Sequence, residues 1–162
     1  RAQAKTFIYA LLYGAGAAKI GKIVDGTAAD GQDLIDKFLE ATPALHTERQ
    51  RVTLAAERGF IKGLDGRRLF IRSPHAALNT QLQGAAAIVM KRGLVIFNDK
   101  LPEGARFVAN VHDEWQLEVD KPLSDMVGTL GIDSIKEAGE FYNLKCPLTG
   151  EYNVGSNWAE TH

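Results

Sequence analysis

Apolar positions in the first third of the chain recur at three- and four-residue spacing, and glycine or proline closes each run. Ala2 to Tyr13 contains good helix formers and no Gly or Pro, and Gly14 follows as a stop signal. A short helical piece is expected around Ala17 to Val24, within a stretch punctuated by Gly14, Gly16, Gly21 and Gly26. A longer helix is expected from near Ala29 to about Ala41. Pro43 interrupts the pattern, and helix resumes from Ala44 to Arg58. The period then changes. From Phe60 to Ile71 apolar residues alternate on both sides of Asp65-Gly66, the pattern of a β-hairpin. Ser73-Pro74 offers an N-cap and a first-turn proline for a helix of about 24 residues, ending near Asn98. Phe107 to Val111 and Trp115 to Val119 read as a second hairpin, hinged at His112-Asp113-Glu114. Leu123 to Glu140 is expected to be helical in part, weakened by Gly128 and Gly131, and the last twenty residues to be loop and short strand. The pattern as a whole predicts an α+β fold with antiparallel hairpins and one long helix.

Composition adds few constraints. The 162 residues are 45% hydrophobic and 24% charged, enough for one sizeable core or two small subdomains. No apolar run reaches the roughly 18 residues that a membrane span needs. A signal peptide is not visible. The single cysteine, Cys146, has no partner for an internal disulfide, fits a reducing compartment and is assigned no role. Charge is more informative. The net value of −1 conceals two basic segments and an acidic one. Residues 1–24 carry Arg1, Lys5, Lys19 and Lys22 without an acid, and residues 58–72 carry five cations against Asp65 alone. Residues 111–140 carry eight acids against Lys121 and Lys136. Basic segments can meet phosphate and clustered acids can hold cations; a solvated surface with random patches is the plain alternative.

Three groups of residues carry candidate chemistry. Arg1, Lys5, Tyr9 and Tyr13 follow an i, i+4 series and share one stripe of their helix. Cations there can grip a polyphosphate, and the tyrosines offer flat faces for a base or sugar. An amphipathic helix with its aromatics in a core accounts for the same pattern. Asp113 and Glu114 place two carboxylates side by side at a hairpin tip, hard oxygen donors that suit Mg²⁺. A polar turn of no special chemistry is the alternative. Asn79 and Gln83, one turn apart with His75 a turn earlier, carry groups able to read minor-groove acceptors, and small residues from Gly84 onward permit close approach. Equally, both amides can simply face solvent.

Taken together, the three groups resemble one family in order and spacing. Arg1-x3-Lys5-x3-Tyr9-x3-Tyr13-Gly14 resembles the nucleotide-binding fingers helix of family A DNA polymerases, the bacterial polymerase I family. Asn79-x3-Gln83-Gly84 resembles the following helix, which touches primer-template, and Val111-His112-Asp113-Glu114 resembles the palm hairpin with a metal-binding Asp. The likeness is closest to replicative polymerases of short-tailed phages. It runs through "AKTFIYALLYGAGAAKIGKIV", "IKGLDGRRLFIRSPHAALNTQLQGA" and the terminal "NWAETH", and is weakest from Leu123 to Lys145.

That resemblance implies a helical fingers subdomain over residues 1–58 and the C-terminal part of a palm over 59–162. It implies template-directed nucleotidyl transfer to a primer 3′ end with two Mg²⁺ ions. Asp113 is the implied metal ligand, with Glu114 beside it; Arg1 and Lys5 hold the triphosphate, and Tyr9 lies against the sugar. Tyr13 stacks at the templating position next to Gly14. His75, Asn79, Gln83 and His112 meet the DNA, His75 standing where many members have Arg. The family's other palm motif, an Asp-Tyr-Ser-like segment with the second aspartate, matches nothing in these residues. The chain is therefore expected to be the C-terminal piece of a polymerase, a reading the missing initiator Met fits. It would need an N-terminal portion, primer-template DNA and deoxynucleoside triphosphates as partners, with no membrane, in a bacterial or phage-infected cytoplasm. A non-catalytic nucleic-acid-binding or assembly module that keeps the polymerase fold is the alternative.

Overall fold

The computed structural model describes residues 1–161, so the final His of the "NWAETH" segment lies outside the described residues. The fold is α+β: seven α-helices and two antiparallel hairpins among the described residues. Two compact units divide it, residues 1–85 and the chain from Ala86 onward. This division by compactness is separate from the division by role expected after Arg58.

In the first unit, α1 (Ala2–Leu12), α2 (Ala17–Ile23) and α3 (Ala28–Ala41) share a core. Phe7 and Leu11 of α1 join Ala15, Ile20, Ile35 and Leu39, and the Phe7 ring meets Phe38 edge-on at 5.3 Å. The i, i+4 pair Phe7 and Leu11 defines the inward face of α1. The Arg1, Lys5, Tyr9 and Tyr13 positions are therefore left on the outside, and all four are exposed. The aromatics at 9 and 13 do not enter a core. α1 ends in a Schellman motif. Gly14 adopts φ +80°, its N–H donates to the Leu11 carbonyl at 3.0 Å, and the Ala15 N–H donates to the Ala10 carbonyl at 2.8 Å. α3 starts at a capping box in which Thr27 and Asp30 bond reciprocally. α4 (Pro43–Ala56) opens with Pro43 at its first turn.

The hairpin of β1 (Phe60–Lys62) and β2 (Arg68–Phe70) pairs Phe60 with Phe70 and Lys62 with Arg68. Its turn spans residues 63–67 and carries Gly66 at φ +83°. Ile61 and Leu69 point to the other face, into a core with Val52, Ala55, Ala56 and Leu78. Ser73 makes no side-chain cap. Pro74–Ala76 is instead a turn of 3-10 helix, and α5 follows as Ala77–Lys100, 24 residues long.

In the second unit, β3 (Ala105–Val111) and β4 (Glu114–Val119) pair with a register shift at Val108. Phe97 of α5 packs on Phe107 and Trp115 at 5.3 and 5.4 Å. The segment after β4 departs from expectation. α6 (Ser124–Phe141) is one continuous helix of 18 residues. Gly128 and Gly131 do not break it, because a Cβ at Gly128 would lie 2.4 Å from the Tyr152 ring and one at Gly131 would lie 3.1 Å from Phe97. Rings packed against those positions offset the roughly 1 kcal/mol propensity cost of each glycine. The expected C-terminal strand is likewise absent among the described residues. A short helix, α7 (Trp158–Thr161), stands there, with Glu160 accepting from Ser156 N–H at 2.7 Å.

Candidate functional site

The stripe on α1 is organised before any ligand is considered. Lys5 Nζ lies 5.8 Å from the centre of the Tyr9 ring, a cation–π contact across one turn. Tyr9 and Tyr13 are 53% and 56% exposed, unusual for aromatics beside a formed core and suited to stacking. Gln83 Nε2 donates to the Tyr13 hydroxyl at 2.9 Å, joining two residues that the sequence separates by 70 positions. Gly14 completes the join. A Cβ there would lie 2.4 Å from the His75 carbonyl oxygen, so the end of α1 rests directly on the turn that opens α5. Tyr13, Gly14, His75 and Gln83 thus form one locus, while Asn79, one turn from Gln83, is half-buried.

That locus borders a cleft of about 530 Å³, which the α4 side chains His46, Arg49, Gln50 and Thr53 line. These residues were missed in reading the sequence, although their spacing of 46, 49, 50 and 53 is a polar helical stripe. Behind it, Glu48 ties α4 to α5. Arg51 donates twice to the Glu48 carboxylate at 2.8 and 2.6 Å, and Gln81 Nε2 donates at 2.7 Å. The Arg51 hydrogen bonds hold the Glu48 carboxyl below the ordinary glutamate range, partial burial opposing them and Gln81 adding to them.

The hairpin tip lies in the second unit. Val111 pairs with Glu114, so only His112 and Asp113 lie in the turn. The two carboxylates are not side by side at the tip. Glu114 is the first residue of β4, half-buried, and accepts a hydrogen bond from Gln116, its neighbour on the same strand face. His112 adopts φ +50°, which few non-glycine residues do. Asp113 is exposed, with no hydrogen bond or ion pair among the described residues. Its carboxylate has the donor chemistry for Mg²⁺, an ion that takes one or two protein carboxylates and completes its octahedron from substrate and water. No group of three or more His, Cys, Asp and Glu able to hold a metal occurs among the described residues.

Residues 1–160 match the DNA polymerase family A profile. The chain belongs to that family. It is 37% identical to the DNA-directed DNA polymerase of Enterobacteria phage T3 and 38% identical to that of Escherichia phage Phieco32, in each case over 100% of this chain. It spans only 27% and 28% of those two relatives. The POL domain of Pol1 from M. smegmatis, solved in complex with DNA primer-template and dNTP, shares the fold with a TM-score of 0.77 at 20% identity. The match covers 85% of this chain and 27% of that one. No helix among the described residues is long and apolar enough to cross a membrane.

Proposed function

We propose that this family A chain supplies the fingers and the metal-binding hairpin of the palm for a DNA-directed DNA polymerase, residues 1–58 acting as fingers. It works with an N-terminal portion carrying the second aspartate, and adds deoxynucleotides to a primer 3′ end. The observation that carries this reading is the exposed row of Arg1, Lys5, Tyr9 and Tyr13, linked through Gln83 to the helix that would meet the duplex. Cations beside open aromatic faces suit a triphosphate joined to a sugar and base.

In this reading Arg1 binds phosphate oxygens through its planar fork and Lys5 as a point charge, and both offset the charge that develops as pyrophosphate departs. Tyr9 positions the sugar. Tyr13 stacks where the template base will sit, held by Gln83 until α1 moves. Asn79, Gln83 and His112 test minor-groove acceptors whose positions correct pairs share, and His75 meets the strand beside them. Asp113 offers its carboxylate to Mg²⁺, with Glu114 supporting. Mg²⁺ held there would supply Lewis-acid activation of the primer 3′ hydroxyl and charge compensation for the leaving pyrophosphate.

Lys5→Ala tests the assignment. A charge-assisted contact is worth about 1.5–3 kcal/mol, so nucleotide kcat/KM should fall roughly tenfold to hundredfold. Primer-template Kd should change little. Equal losses would place Lys5 on the duplex, and DNA binding without extension by the assembled protein would favour a non-catalytic module.

A further inference from the structure

One polar residue interrupts the inward stripe of α5. Leu78, Gln81 and Ala85 fall at three- and four-residue spacing, and Leu78 is buried in the core that Val52, Ala55 and Ala56 of α4 share. An apolar side chain is the ordinary occupant of such a position. Gln81 is half-buried there, and the two ends of its amide fare differently. Nε2 donates to the Glu48 carboxylate at 2.7 Å, whereas Oε1 is buried without a donor among the described residues. A carboxylate only accepts, so the amide has to turn its nitrogen to Glu48 and its oxygen inward. For stability alone the arrangement is poor, since an unmet buried acceptor is costly and an apolar side chain of similar shape leaves none.

What the bond fixes is the rotation of the first turns of α5. At Gly84 the helix meets a steric stop: a Cβ there would lie 2.5 Å from a Leu69 methyl group of β2. Three residues earlier Gln81 is tied to Glu48, which two hydrogen bonds from Arg51 hold in turn. Gln83 lies between stop and tie, about 200° around the helix from Gln81, and its Nε2 donates to the Tyr13 hydroxyl at 2.9 Å. A rotation of about 10° moves a side-chain tip at roughly 6 Å from the axis by about 1 Å. That is enough to break the bond to Tyr13.

We propose that Glu48 is a positioning residue: through Gln81 it sets the rotation of α5, and with it the hold of Gln83 on Tyr13 and the selection of the incoming nucleotide. Glu48 itself touches neither nucleotide nor DNA. Both bonds join helices within residues 1–85, and neither depends on an open surface. The step from the tie to nucleotide selection rests on the polymerase reading above; the step from Glu48 to Tyr13 does not.

The test uses Gln81→Met, which keeps the length and helix propensity of the side chain and removes both the tie and the unmet acceptor. Its melting temperature should be unchanged or raised; a clear loss would make the bond structural and overturn the proposal. In the full chain labelled with 3-fluorotyrosine, the Tyr13 fluorine resonance is assigned through Tyr13→Phe. Gln81→Met should move that resonance towards its position in Gln83→Met, where the bond to Tyr13 is removed directly. An unmoved resonance overturns the proposal. In the assembled protein, the kcat/KM ratio of matched to mismatched nucleotides should fall roughly 2- to 30-fold, and an unchanged ratio overturns the role in selection. Gln81→Glu sets two carboxylates together and should lower the ratio at least as far. The double variant Glu48→Gln, Gln81→Glu remakes the bond with donor and acceptor exchanged and should restore it, and no recovery would count against the tie. Absence of extension by the unsubstituted assembly would contradict the polymerase reading, while the fluorine resonance decides the tie from Glu48 to Tyr13 independently.

Discussion

At the scale of single residues, the phenol of Tyr9 and the missing side chain of Gly14 make the sharpest claims. Family members carry Phe or Tyr at the Tyr9 position, and the resemblance links Tyr there to acceptance of dideoxynucleotides. A dideoxynucleotide lacks the 3′ hydroxyl that can bond within its own triphosphate, and the Tyr9 hydroxyl can fill that polar gap. An unmet buried polar group costs about 1–3 kcal/mol. Tyr9→Phe should therefore raise discrimination against dideoxynucleotides roughly tenfold, read as a ratio of incorporation efficiencies. An unchanged ratio would mean that Tyr9 does not face the sugar. For Gly14→Ala, the φ of +80° and the 2.4 Å approach to the His75 carbonyl both oppose a side chain. A loss of at least about 2 kcal/mol is expected, or roughly 4–8 °C in melting temperature. A shift under about one degree would contradict the tight seating of α1 on that turn. The stripe of Arg1, Lys5, Tyr9 and Tyr13 was legible in the sequence, because four-residue spacing determines which face a helical residue occupies. The Gln83–Tyr13 bond was not, because nothing local records a partner 70 residues away.

At the scale of elements, the tie between α4 and α5 gives a pH dependence. The Glu48 carboxyl is held below its ordinary value of 4.5, chiefly by Arg51. A carboxylate with a depressed folded pKa contributes stability above its unfolded value and loses it as pH falls through the folded value. Stability should thus decline as pH drops below about 4.5, and Glu48→Gln should flatten that acid limb while lowering stability at neutral pH. Urea midpoints across the range check this. Asp30 and Asp65, also depressed, act in the same direction but are common to both proteins and cancel in the comparison. An identical acid limb in Glu48→Gln would remove the tie from the account. The first five helices and both hairpins followed from local signals: helical spacing of apolar residues, Pro43, Asp65-Gly66 and glycine stops. α6 did not, because the rings that fill its glycine notches come from Tyr152 and Phe97, distant in the chain. Glu114 was misplaced for a related reason. The Val111–Glu114 pair closes a two-residue turn, and pairing register is invisible to a motif of adjacent letters.

At the scale of the whole molecule, family membership rests on residues 1–160, whereas the activity proposed above would draw on groups beyond these residues. In the proposed reading Asp113 is one metal-binding carboxylate, and two-metal transfer would call on a second aspartate to share the ions. The most direct measurement is single-nucleotide primer extension by the chain, alone and assembled with a polypeptide bearing the Asp-Tyr-Ser-like motif. Asp113 is kept or replaced by Asn in the assembly. Extension is expected only in the assembly, with loss of turnover in Asp113→Asn and primer-template affinity nearly unchanged, since phosphate contacts dominate that affinity. Robust extension by the chain alone, or near-normal rates in Asp113→Asn, would contradict the proposed reading.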